Sequence, residues 1–475
     1  MKDLVSIFYH GMYKLSAILF PLLTVTYATR TLGPEFFGYS VGLLAIAGFF
    51  INFPTLPFGA FAVSTLSGLK PHEQRATSDV FLGIGFILSS ISAAVFSIFI
   101  LFFSDYHDRG LIALAVLTVW SACLSLEWYY QYKGQYKRLF IRTFIIRSAA
   151  LIALFGLVNS PADYTIYATI LLLMILLPNL YNLYFYRLAD KLNLKQMFSV
   201  SYIRRYAKGL ITNSSIGFFV SVYTLMPIAM AAMFLSAEAF SYISLSDRIV
   251  KLVVSLTASF SIVLLPKQVE MFNTNRQAAE TYLIKLINLT LAICIFIAFL
   301  TAINAPLIVT TLGGEGFYES VEVLVLMAPL LLLMPLNSII IYQYFYAIKQ
   351  LRQLLNIAGG VAGVAVVLTY GLIEYSGSNG YVLATVIIEI LLFVTLYWQA
   401  FGGKILLRFS LKVVTYSVLL ALIWFIIDSI SPNDWSVLYK SMATNVLSVL
   451  IYVPVLVLFK WSPFHFIFLQ IKQRL

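Results

Sequence analysis

Along the chain, apolar runs of bilayer length alternate with short polar connectors. Segments 36–69, 80–103, 164–186, 209–237, 286–314, 323–348 and 353–373 contain no charged residue. A membrane-spanning helix needs ~20 apolar residues, whereas a barrel strand needs ~10 with strict alternation. These runs are long and do not alternate, so each reads as a helix that satisfies its own backbone hydrogen bonds in lipid. The pattern predicts fourteen spans: 8–30, 38–62, 79–103, 110–132, 141–159, 164–186, 209–234, 239–265, 283–304, 320–345, 354–374, 379–400, 411–428 and 441–460. The expected class is an all-α polytopic membrane protein.

Cation placement orients the spans. With the N-terminus inside and strict alternation, 24 of the 31 Lys and Arg fall on the cytoplasmic side. Three, Arg30, Arg109 and Lys440, fall outside, and four, Lys14, Arg147, Arg248 and Lys251, stay within spans. One missed span would invert every later loop and destroy that bias, so both termini are expected in the cytoplasm. The net charge of +11 is then loop bias, with no nucleic-acid partner implied. A hydrophobic fraction of 61% against 11% charged residues excludes an ordinary water-soluble enzyme. The first apolar run ends at Arg30 without a small-residue cleavage pattern, so it is expected to remain as a span.

The longest predicted loop, 187–208, is about 22 residues, too short for a catalytic domain. There is no Walker A pattern and no metal-spaced His/Cys cluster, and no cofactor is expected. Cys123 and Cys294 sit in apolar runs and suggest neither a disulfide nor a metal site.

Two local matches indicate duplication. LGPEFFGY at 32–39 resembles LSAEAFSY at 235–242, and YQYKGQYKRL at 130–139 resembles YQYFYAIKQL at 342–351. Each pairs span n with span n+6, as a doubled six-helix unit requires. An even-numbered unit inserts both copies the same way up, related by an axis along the membrane normal. The expected organisation is two pseudo-symmetric six-helix bundles, 1–195 and 196–403, plus a further helix pair and tail at 404–475. That geometry points to a transporter.

The segment TRTLGPEFFGY at 29–39, after an N-terminal span, resembles the signature of the polysaccharide transporter family. These are the O-antigen and capsule-unit flippases of the multidrug/oligosaccharidyl-lipid/polysaccharide superfamily. The resemblance implies a bacterial inner-membrane flippase for an oligosaccharide carried on undecaprenyl pyrophosphate. Other polysaccharide assembly proteins are its implied partners. Twelve core spans are usual in the family. The extra pair here is similar to the lipid II flippases, where it shapes a groove for the lipid tail.

Charges within spans are candidates for function. Lys251 lies near the middle of the eighth span, with Asp247 and Arg248 one turn away. Asp247 and Lys251, at i and i+4, can pair on one face. Arg248 and Lys251 are then expected to meet pyrophosphate, or else the cluster fixes packing. Lys14 serves the same purpose or snorkels to the interface. Arg30 assists exit or caps its helix, and Arg147 lies two turns inside the fifth span. Glu389, alone in the twelfth span, must be neutralised or find a cation, and is the first choice for ion coupling, with Asp247 and Glu127 as further candidates. The competing readings are a multidrug or cation antiporter of the same superfamily, and a membrane polymerase or ligase. Short outer loops disfavour an enzyme, and the four in-span cations disfavour a cation extruder.

Overall fold

The computed structural model describes residues 2–103, 106–189 and 193–402, with 413, 415–422, 425, 444–452 and 454 beyond them; side chains of residues 2–19, 21, 60, 71, 72, 103, 187–189, 213 and 256–259 lie outside the description. Fifteen α-helices run in order among these residues, and no strand occurs. They are α1 (Lys2–Thr55), α2 (Gly59–Ser67), α3 (Pro71–Phe103), α4 (Arg109–Trp120), α5 (Glu127–Tyr132), α6 (Tyr136–Leu157), α7 (Tyr164–Ala189) and α8 (Leu194–Met197). Then follow α9 (Val200–Phe234), α10 (Ala237–Thr274), α11 (Arg276–Ile303), α12 (Ala305–Gly313), α13 (Ser320–Met327), α14 (Leu330–Ile340) and α15 (Leu351–Phe401). Among the described residues, ten helices are long and apolar enough to cross a membrane. The expected all-α polytopic class is thus what the chain adopts.

Ten helices accommodate twelve of the predicted spans because two of them, α1 and α15, are each two helices joined at a kink. α1 breaks at Gly33, whose φ of 73° and ψ of 175° leave the helical region. Only glycine takes that conformation without strain, and Pro34 then suits the first turn of the next limb. α15 breaks at Ser376–Gly377, where Gly377 has φ 58°. A Cβ on Gly380 would lie 1.8 Å from the Leu372 carbonyl oxygen, so the returning limb presses directly on the first. The predicted thirteenth and fourteenth spans lie partly outside the described residues; their described stretches, 415–422 and 444–452, are helical. The fourth span differs from expectation. It stops at Trp120, passes through a 3₁₀ turn at Ser121–Leu124 and resumes as α5. Its polar Ser121 and Ser125 interrupt the helix where side chains from neighbouring helices take up the released polar groups.

Contacts divide the chain into two compact units, Met1–Ser244 and Leu245–Leu475. The division falls inside α10, because α9 packs on α1. The boundary proposed from the repeat, 195/196, concerns duplication rather than packing and stands as a separate reading.

Unit 1 has two apolar centres. One joins Leu43, Ile46, Phe96, Leu111 and Leu172. The other is aromatic, with Phe58, Phe81, Trp128, Tyr129, Tyr186 and Tyr206. The two repeat-bearing segments meet in this unit: a Cβ on Gly38 would sit 1.7 Å from the Ala237 carbonyl oxygen. In unit 2, Leu283, Ile287 and Leu291 of α11 and Leu331, Leu336 and Ile340 of α14 are buried.

The second repeat match appears as one backbone turn made twice. Gly134 and Lys349 both have positive φ, 66° and 59°. The glutamine after each precedes a helix, with φ, ψ of −87°, 45° at Gln135 and −84°, 51° at Gln350. Gln135 N donates to Tyr130 O at 2.8 Å, and Gln350 N donates to Phe345 O at 2.9 Å. Geometry therefore pairs Gly134 with Lys349, three residues away from the register that the tyrosines suggest. The second copy carries a π-helical stretch at Ile341–Tyr346, which takes up extra residues before the turn. Lys349 holds a conformation that disfavours side chains, and glycine fills the matching position.

Gly38→Ala should lower the melting temperature of the detergent-purified protein by several degrees, consistent with an overpacking cost of about 1–3 kcal/mol. Gly48→Ala, which meets nothing within 4 Å, should melt at or slightly above wild type. Equal melting of the two variants would refute the close approach.

Candidate functional site

Charges inside the helices are held by named partners in both units. In unit 2, α10 places Asp247 and Lys251 one turn apart, and Lys251 Nζ meets Asp247 Oδ2 at 2.7 Å. The pair is not sealed, since the Lys251 side chain is 40% exposed and that of Asp247 12%. An ammonium has three donors, so Lys251 can keep Asp247 and still bind an anionic oxygen. Ser246 Oγ donates to the Ser320 carbonyl at 3.1 Å and ties this turn of α10 to α13.

The returning limb of α15 buries Glu389. Asn337 of α14 donates through Nδ2 to Glu389 Oε2 at 2.7 Å and to its carbonyl at 3.2 Å. Lys251 acts on Glu389 through space, and Asp247 acts likewise on the buried Tyr381. Three residues selected from sequence, Asp247, Lys251 and Glu389, thereby form one electrostatic cluster across α10, α14 and α15. Asn337 Oδ1 is buried and has no hydrogen-bond partner among the described residues. A carboxylate with one amide donor and a nearby ammonium can gain or lose a proton, or hold a monovalent cation, without leaving a bare charge in the helix bundle. Arg248, half-buried, lies about 100° round α10 from Asp247.

In unit 1, Glu127 of α5 forms an ion pair with Arg142 of α6 at 3.3 Å. Arg142 is buried and also donates to Asn182 Oδ1 of α7 and to Thr143 Oγ1. Asn182 Nδ2 donates in turn to the Leu124 carbonyl at 3.1 Å, within the interruption of the fourth span. Arg142, the second residue of the predicted fifth span, was counted among the cytoplasmic-side cations. It is interior because α6 begins at Tyr136, five residues before the predicted span, so its second turn already lies in the bundle. Asp79 is also buried and accepts a hydrogen bond from Tyr186 at 2.8 Å.

The other predicted residues lie elsewhere. Arg30 is exposed on the first limb of α1, and Arg147 is half-buried on α6. Both belong to unit 1 with Glu127, whereas Asp247, Arg248, Lys251 and Glu389 belong to unit 2. The Lys14 side chain lies outside the described residues. Sequence reading missed Asn337, Tyr381, Asn182 and Asp79. An uncharged polar residue in a span gives little signal, and Asp79 stands at a predicted span boundary. Among the described residues, no group of three His, Cys, Asp or Glu could hold a metal ion, and Cys123 and Cys294 are buried free thiols.

Unit 2 also contains an apolar groove of about 780 Å³. Ile295 and Phe299 of α11, Val325 of α13, Pro329, and Leu420 and Ala421 of the stretch 415–422 line it. The stretch 444–452 packs against α11 from another direction. Tyr452 stacks on Phe296 at 4.7 Å and donates to the Ala292 carbonyl at 2.9 Å.

The helical arrangement is similar to that of the lipid II flippase MurJ in an inward closed conformation. The TM-score is 0.73 at 13% identity, covering 94% of this chain and 98% of that one. It is also similar to an inward-facing multidrug resistance MATE family transporter of the MOP superfamily, with a TM-score of 0.58 at 15% identity over 87% and 99% of the two chains. MATE in complex with MaL6 gives a TM-score of 0.50 at 15% identity over 86% and 94%. No family model and no curated protein matches the chain. The fold is therefore that of a multi-pass membrane protein of the MurJ and MATE type.

Glu127→Gln should destabilise the protein by about 1–3 kcal/mol, because it leaves the Arg142 guanidinium buried without its counter-charge. Replacing Arg142 by Met in that background should restore part of the loss in thermal melting. Strict additivity of the two substitutions would show that the pair is not coupled.

Proposed function

We propose that the chain is a flippase for an oligosaccharide unit linked to polyprenyl pyrophosphate, moving it from the cytoplasmic to the outer leaflet by alternating access. The observation that carries this reading is the joint presence, in unit 2, of a partly exposed lysine on α10 and an apolar groove built with the helices after α15. Such a substrate has two incompatible ends. Its pyrophosphate needs cationic donors in place of water, which Lys251 and Arg248 supply. Its isoprenoid tail needs continuous apolar surface, which Ile295, Phe299 and Leu420 supply. The likeness to the lipid II flippase supports a lipid-linked substrate, and TRTLGPEFFGY supports the polysaccharide transporter family. The cation bias supports cytoplasmic termini, and the resemblance carried by TRTLGPEFFGY supports an inner-membrane location. Glu389, buried beside Asn337 and under the influence of Lys251, is the proposed coupling residue, and Asp247 sets the charge that Lys251 must exchange.

A multidrug antiporter is the second reading. It is favoured by the MATE likeness and by the buried carboxylates Asp79, Asp247 and Glu389.

Arg248→Ala and Lys251→Ala should each abolish translocation of a fluorescent lipid-linked oligosaccharide in proteoliposomes while the protein still inserts. Normal flipping by both variants, or drug efflux without any flipping, would favour the antiporter. Under proton coupling, Glu389→Gln should flatten the dependence of transport on the pH gradient. A variant that keeps the wild-type gradient dependence assigns Glu389 to packing alone. Ala421→Trp, which fills the groove, should slow transport of long-chain substrates far more than of short-chain analogues; equal slowing would exclude the groove as the tail site.

A further inference from the structure

We infer that the segment entering α9 is a docking surface for the headgroups of anionic phospholipids. Between 193 and 208 the chain carries four cations, Lys195, Arg204, Arg205 and Lys208, and no acid. All four are exposed. The opposite face is fixed in unit 1. Met197, Tyr206 and Leu210 are buried in the aromatic centre, and Tyr206 shares a hydrogen bond with Thr77 at 3.1 Å. α3 approaches so closely that a Cβ on Gly83 would lie 2.2 Å from the Met197 carbonyl. The cationic face is therefore presented rigidly.

Two features select a lipid surface over an acidic soluble partner. Leu194 and Val200 stand among these cations at 67% exposure each, a cost in water that immersion at the acyl boundary removes. The second feature is depth. The apolar run of α9 begins at Gly209, directly after Lys208. At about 1.5 Å per residue, Arg204 stands only about 7.5 Å beyond that start. The headgroup layer of one leaflet is about 5–8 Å thick, so all three α9 cations lie at phosphate depth. A run of exposed cations at that depth, without acids to neutralise it, recognises the phosphate of an anionic lipid, and the attraction weakens with salt. All four cations belong to unit 1, and none of them is among the residues assigned above to the transported substrate.

The test uses the purified full chain in phosphatidylcholine nanodiscs with and without phosphatidylglycerol. Phosphatidylglycerol should raise the melting temperature by several degrees, and the rise should shrink as salt is added. The variant Arg204→Gln/Arg205→Gln/Lys208→Gln should melt like wild type in phosphatidylcholine alone and lose most of the increment. The control Lys267→Gln/Arg352→Gln, which removes cations from unit 2, should keep it. An undiminished increment in the triple variant, or an equal loss in the control, overturns the proposal. Should the triple variant fail to insert, Lys208→Gln and the wild-type salt titration decide, and a salt-insensitive increment is the contrary result. Stabilisation by a prenyl phosphate but not by phosphatidylglycerol also overturns it, assigning the cations to substrate capture.

Discussion

A polar group buried within a helical bundle surrounded by lipid has no bulk water to fall back on, so leaving it without a partner in the chain is costly. The charged residues of the two units illustrate how that constraint is met. Asp247 and Lys251 answer each other along one helix, while Glu389 accepts a hydrogen bond from the Asn337 amide on another. Arg142 draws on three side chains, from Glu127, Asn182 and Thr143. These contacts cross between helices, so they also fix which helices are neighbours. A cluster that both holds packing and leaves one ammonium partly exposed combines structural need with capacity for an anionic ligand.

Backbone constraints act alongside the charges. Gly33 and Gly377 allow two long helices to break where a side chain would be strained. Gly38 and Gly380 serve a different purpose, since a side chain there would occupy space already taken by a carbonyl. Close backbone approach through small residues is the usual means of helix association where apolar burial alone gives little preference between lipid and protein. The twin turns at Gly134 and Lys349 add evidence of duplication that does not depend on side-chain identity. Two segments of different composition adopt the same hydrogen-bond pattern before the same kind of helix.

The apolar groove and the charged cluster around Lys251 stand at two chemical extremes within unit 2. A small, uniformly cationic drug would have no use for both. An amphiphile with a charged head and a long hydrocarbon chain uses each for a different part of itself, which is why the proposed substrate is lipid-linked. In the proposed cycle, Glu389 is the group at which a proton or cation would change the cluster's charge.

The first twelve spans, the helical class and the i, i+4 pair were readable in sequence, because hydropathy and helical spacing are local properties. A duplication was suggested by sequence too, but the alignment at 130–139 differs from the shared turn: repeated tyrosines suggested one register and the turns at Gly134 and Lys349 give another. Arg142 could not be distinguished from a loop cation, since its burial depends on where α6 begins and on Asn182 lying 40 residues away. Glu389 stood out as a lone carboxylate, yet its partner Asn337, 52 residues earlier, carried no charge to draw attention. Sequence determined which segments enter the bilayer, because transfer free energy sums over neighbouring residues. Tertiary structure alone decided which polar groups meet, because hydrogen bonds and ion pairs depend on distances of about 3 Å between residues far apart in the chain.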